Sequence, residues 1–140
     1  MVRDPDDALE WPEMSAPRTR PVFLDLRRIA LPLPGVLSIL HRISGVLLFL
    51  LLPLLLWLFS LSLRDADGYA QVEALLASLP ARLLLLGVGW MLAHHLFAGI
   101  RYLLLDLDIG VERGAARASS WLVFAAGGLS ALWLAWMLFL

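Results

Sequence analysis

The side chains with most chemistry to offer are three histidines, His41, His94 and His95, and each lies inside or at the mouth of a long hydrophobic segment. An imidazole in hydrocarbon is costly, so each one needs a partner and is by default a candidate functional group. They fall in two strings, Ser38-Ile39-Leu40-His41-Arg42-Ile43-Ser44-Gly45 and His94-His95-Leu96-Phe97-Ala98-Gly99-Ile100-Arg101-Tyr102. There is no cysteine, which excludes disulfides and thiolate-bound clusters within the chain. Any redox group held here must use histidine.

The elements that carry these strings are legible from hydropathy. The chain has 140 residues, 61% of them hydrophobic, outside the range of an ordinary soluble domain. Segments 43–63, 83–100 and 118–140 contain no Asp, Glu, Lys or Arg, and each approaches or exceeds the ~20 apolar residues that cross a bilayer as a helix. Backbone groups in lipid must be satisfied internally, so an all-α membrane protein with three transmembrane helices is expected, at about 35–63, 80–106 and 117–140. Residues 1–17, with Asp4, Asp6, Asp7, Glu10 and Glu13, have the composition of a disordered acidic tail. Residues 18–34 mix arginines with apolar residues and suit a basic segment lying on the membrane surface. The polar, proline-bearing start does not read as a secretory signal. Pro53 should kink the first helix, and 72–79 is expected to form a short surface helix between the first two spans. The net charge of −1 and the lack of a basic stripe argue against a nucleic-acid partner. Three spans enclose little interior, so the chain is expected to pack against partner subunits.

Charge asymmetry sets the expected orientation. Six of the eleven basic residues, all arginine, precede or begin the first helix, two flank the first loop and three flank the second. The positive-inside rule then puts the N-terminus and second loop in the cytoplasm. The first helix enters from that side and the second returns to it. His95, six residues before Arg101, lies about 9 Å deeper than Arg101. Both histidine strings are therefore expected in the cytoplasmic half of the membrane.

Helical spacing refines this. Ser38 and Arg42 are i, i+4 and share a face, with His41 about 100° around from Arg42. His95, Gly99 and Tyr102 line one face of the second helix, where Gly99 leaves room for a flat macrocycle. His94 and Arg101 share a different face, and adjacent positions diverge too far for His94 and His95 to ligate one metal. From spacing alone, His95 suits an axial ligand of haem or a helix-bridging hydrogen bond equally. His94 reads as a polar partner for a neighbouring helix. Arg101 reads as an interfacial anchor that snorkels, and Ser38 as able to bond its own i−4 carbonyl.

The pattern Arg20-Pro21-x-x-Leu24-Asp25-Leu26, the Ser38 to Gly45 string, and His95-x-x-x-Gly99-Ile100-Arg101-x-x-x-x-Asp106 resembles the cytochrome b556 subunits of succinate dehydrogenase. These are the larger of two membrane anchors of respiratory complex II. The resemblance runs from about residue 20 onward and includes the three-helix layout. It implies a haem b shared with a second anchor subunit, with His95 as one axial iron ligand. It further implies His41 and Arg42 near the haem propionates, and Ser38 and Arg42 at a site for ubiquinone or menaquinone. Iron–sulfur and flavoprotein subunits would dock at the cytoplasmic face of the inner membrane, with lipid around the helices. Tyr102 departs from the pattern, since a histidine often follows Gly-Ile-Arg in relatives. By itself the chain has no flavin fold or cluster ligands, so no catalysis is expected of it alone. Competing readings are a fumarate reductase anchor, a haemless anchor, or a small structural or transport subunit whose histidines only bridge helices.

Overall fold

The computed structural model describes residues 31–140, so the tail, nearly all of the basic segment and the Arg20 motif lie outside the described residues. Four helices follow in order: α1 Leu33–Ser62, α2 Ala66–Ala77, α3 Leu79–Asp106 and α4 Arg113–Phe139. Helices α1, α3 and α4 are 30, 28 and 27 residues long and apolar enough to cross a membrane. They are the three predicted spans, and the molecule is a multi-pass all-α membrane protein.

The helix boundaries differ from the expected ones for local reasons. α1 begins with Pro34 in its first turn, where a missing N–H is harmless, and runs unbroken through Pro53. α2 starts six residues earlier than expected because the Asp65 carboxylate caps it, accepting the Gly68 N–H at 2.6 Å. That bond, reinforced by the Arg64 side chain, holds the Asp65 carboxyl below the usual carboxylate range. The cap is therefore present at neutral pH and is lost as pH falls through that lowered range. α3 ends in a Schellman motif, with Ile109 N–H on the Leu104 carbonyl at 2.9 Å and Asp108 N–H on Leu105 at 3.0 Å. Asp108 takes the left-handed conformation there, φ 59°. α4 starts at Arg113, ahead of its hydrophobic stretch, because Gly114, Ala115 and Ala116 continue the helix through the polar edge.

The three spans pack antiparallel in succession. Leu37 of α1, Ala98 of α3 and Val123 of α4 form the buried centre, with Phe97, Tyr102 and Phe124 against it. α3 and α4 form a seam along their length. Arg82 Nη1 donates to the Leu138 carbonyl at one end, a side chain at Gly89 would collide with Leu134, and Gly127 faces the His94 backbone. At the other end Arg101 reaches Ser119. Small residues let the helices approach, as expected where lipid gives no hydrophobic drive between spans. The remaining outer surface is rich in exposed Leu, Phe and Trp, the composition of a lipid- or subunit-facing wall.

At Gly68 a β-carbon would run into the Leu61 backbone carbonyl, whereas at Gly87 it would meet open space. Gly68→Ala should therefore open the α1–α2 turn and speed limited proteolysis between residues 62 and 68 in the assembled membrane protein. Gly87→Ala should cleave at the wild-type rate. Equal rates for all three proteins would contradict the close approach.

Candidate functional site

His95 stands where α3 crosses α1. Its Nδ1 lies 3.1 Å from the His41 backbone carbonyl and 3.2 Å from Ser44 Oγ. A carbonyl can only accept, so Nδ1 carries the proton and donates. Ser44 Oγ in turn donates to the same carbonyl at 2.8 Å. The ring fits because residue 45 is glycine: a β-carbon there would sit 2.9 Å from His95 Cε1. With Nδ1 protonated, Nε2 holds the lone pair, and it makes no hydrogen bond to a described residue.

The His41 ring stacks on the His95 ring, with centroids 4.2 Å apart and planes 11° from parallel. Stacking covers a face of His95 and leaves the in-plane Nε2 lone pair open. Tyr102 packs against His41 at 5.1 Å, and His41 Nε2 lies over Gly99, 3.6 Å from where a β-carbon would be. The expected face of His95, Gly99 and Tyr102 is thus real, but the room above Gly99 is faced by the His41 imidazole rather than left open. Ser38 is partly exposed and Arg42 exposed, one turn apart on α1. Neither side chain makes a hydrogen bond to a described residue, so the i−4 back-bond considered for Ser38 is not formed.

The opposite side of α3 behaves differently. His94 is 1% exposed, stacked on Trp90 with centroids 5.7 Å apart and tilted against Phe124. Both its ring nitrogens are buried with no hydrogen-bond partner. It does pack on a neighbouring helix, as expected, but through its faces and not its polar atoms. Arg101 departs from the snorkelling expectation. It is only 6% exposed, donating from Nε to Ser119 Oγ at 2.9 Å and from Nη2 to the Ala116 carbonyl at 3.1 Å. The last turns of α3 and the first of α4 hold it inward, because two acceptors on α4 lie within its reach. Sequence reasoning missed Ser44, Gly45 and Ser119. The signal for the first was available, since Ser44 is a hydroxyl one turn from His41 in an otherwise apolar span.

Three membrane spans, one of which carries a histidine bonded through Nδ1 with no described partner at Nε2, define a multi-pass helical membrane protein. Residues 16–135 match the succinate dehydrogenase/fumarate reductase transmembrane subunit family, and the chain belongs to that family. It is 40% identical over 108 residues to the succinate dehydrogenase cytochrome b556 subunit of Coxiella burnetii, covering 75% of this chain and 85% of that one. The subunit of the same name from Paracoccus denitrificans is 32% identical over 101 residues, 72% of this chain and 78% of its own length. That of Rickettsia bellii is 35% identical over 89 residues, 64% and 69% respectively.

Gly45→Ala should displace the His95 ring and break its bond to the His41 carbonyl, a loss of about 1 kcal/mol. The assembled, detergent-solubilised complex should then melt at a lower temperature than wild type. Gly128→Ala, where a β-carbon meets open space, should melt as wild type does. An unshifted midpoint for Gly45→Ala would contradict the fit of the ring.

Proposed function

We propose that this chain is the cytochrome b anchor of a succinate:quinone oxidoreductase in a bacterial inner membrane. In this reading His95 is an axial ligand of haem b, and Ser38 and Arg42 serve the quinone. The observation that carries it is the division of labour on the His95 ring. A histidine that ligates a metal typically donates its other N–H to a carbonyl or carboxylate, which fixes tautomer and orientation. His95 has that arrangement, with the His41 carbonyl as acceptor.

The residues fit the group. Haem b, when bound, supplies a one-electron store beside the quinone. His95 would hold its iron through Nε2, and the second anchor subunit would share the group. The nitrogens of the His41 ring make no hydrogen bond to a described residue, and the Arg42 guanidinium is exposed. Both are suited to offset the charge of carboxylates at the membrane edge. Ser38 would donate its hydroxyl to a quinone carbonyl. Arg42, one turn away, would stabilise negative charge as it develops on the quinone oxygens during reduction. Iron–sulfur and flavoprotein subunits would dock on the cytoplasmic side and deliver the electrons of succinate. The family also contains fumarate reductase subunits, but the relatives quoted above are all named for succinate dehydrogenase, which favours that direction.

Ser38→Ala and Arg42→Leu in the assembled complex test the quinone assignment. Each should lower succinate–quinone reductase activity by about tenfold or more, with succinate oxidation by a water-soluble artificial acceptor unchanged. Wild-type quinone kinetics in both variants would contradict it.

A further inference from the structure

The seam between α3 and α4 holds a second feature, on the side of α3 away from His95. A cavity of about 350 Å³ is lined by residues from Phe97 to Leu104 on α3 and from Ser119 to Ala126 on α4. Seven residues of helix set its length along the membrane normal at about 10 Å. Its walls are apolar except at one end, where Arg101 and Ser119 sit.

Arg101 there pairs with no carboxylate among the described residues. Its two hydrogen bonds go to a serine hydroxyl and a backbone carbonyl, which orient the guanidinium without neutralising it. Its Nη1 end bonds no described residue. Arg64–Asp65 is the one ion pair among the described residues. A nine-tenths buried guanidinium at the end of a hydrocarbon-walled groove is expensive unless an anion meets it. The hydrogen bonds of Arg101 turn its guanidinium toward α4, whereas the His95 ring bonds α1.

We propose that this groove binds an anionic phospholipid, with an acyl chain lying between α3 and α4 and the headgroup phosphate on Arg101. Three features favour a lipid over a protein carboxylate. The rim residues Ile100, Leu104 and Leu122 are apolar and exposed, continuous with the apolar outer wall and suited to acyl chains. Among the described residues Ser119 is the only other polar residue lining the groove, which leaves its walls poorly matched to a polar protein surface. Arg101 lies five residues from the end of α3, about 7.5 Å below it, within reach of the headgroup layer. Guanidinium and phosphate also match in geometry, with parallel N–H···O bonds. The inference is independent of the haem and quinone reading.

The test uses the whole complex, stripped of lipid in neutral detergent and titrated with phosphatidylglycerol or phosphatidylcholine of identical chains, with bound lipid counted by native mass spectrometry. Wild type should bind phosphatidylglycerol more tightly than phosphatidylcholine. Arg101→Gln should weaken phosphatidylglycerol binding about tenfold or more and abolish the preference. Ala126→Phe, which fills the groove and keeps the charge, should also weaken it. Glycerol phosphate, a headgroup without chains, should not compete at equal concentration. No headgroup preference in wild type would overturn the proposal, and that result does not depend on either variant assembling. Wild-type affinity in Arg101→Gln or Ala126→Phe would overturn it too. So would full competition by glycerol phosphate, or a carboxylate of another subunit found on Arg101 in the lipid-free complex.

Discussion

An imidazole nitrogen left unpaired inside a bilayer is costly, and the rest of this bundle is arranged around how His95 pairs its Nδ1. Its Nδ1–H is taken by the His41 carbonyl, with Ser44 beside it. That contact holds α3 against α1, selects one tautomer and sets the plane in which His41 stacks. It also leaves the lone pair of Nε2 aimed away from the backbone that anchors the ring. Bridging two helices thus occupies one nitrogen of the ring and leaves the other without a partner among the described residues.

α3 is the axis of the molecule because its two sides do different work. Toward α1 it presents His95, Gly99 and Tyr102, against which the His41 ring packs. Toward α4 it presents His94 among aromatic rings and Arg101 tied to Ser119. Adjacent histidines separate onto these two sides because neighbouring helical positions point about 100° apart. Arginines fasten the seam to α4 at both ends, Arg82 on the Leu138 carbonyl and Arg101 on Ala116 and Ser119. A firmly held α3–α4 pair gives α1 a fixed surface on which to bring His41, Arg42 and Ser38 to the level of His95.

The spans, their antiparallel order and the meeting of the two histidine strings were legible in the sequence, since hydropathy and helical spacing alone determine them. The partition of roles between His94 and His95 was legible only as divergence. Spacing cannot tell which of two adjacent imidazoles is sealed by Phe124, a residue 30 positions away on α4. Arg101 was misread for a related reason. An arginine near a helix end snorkels by default, and only the approach of Ser119 and the Ala116 carbonyl turns it inward. The contribution of Gly45 depends on the separation of α1 and α3, which no local pattern encodes. Hydropathy gave α4 little beyond its span, yet among the described residues α4 supplies both hydrogen-bond acceptors of the buried arginine.

The central claim is that His95, anchored through Nδ1, is the haem ligand of this chain and that His94 is not. The dithionite-reduced minus oxidised optical spectrum of the assembled complex tests it directly, comparing wild type, His95→Ala and His94→Ala at equal flavin content. Loss of the b-type band in His95→Ala with its retention in His94→Ala is the result predicted. A wild-type b-type band in His95→Ala, with the complex intact, would contradict it.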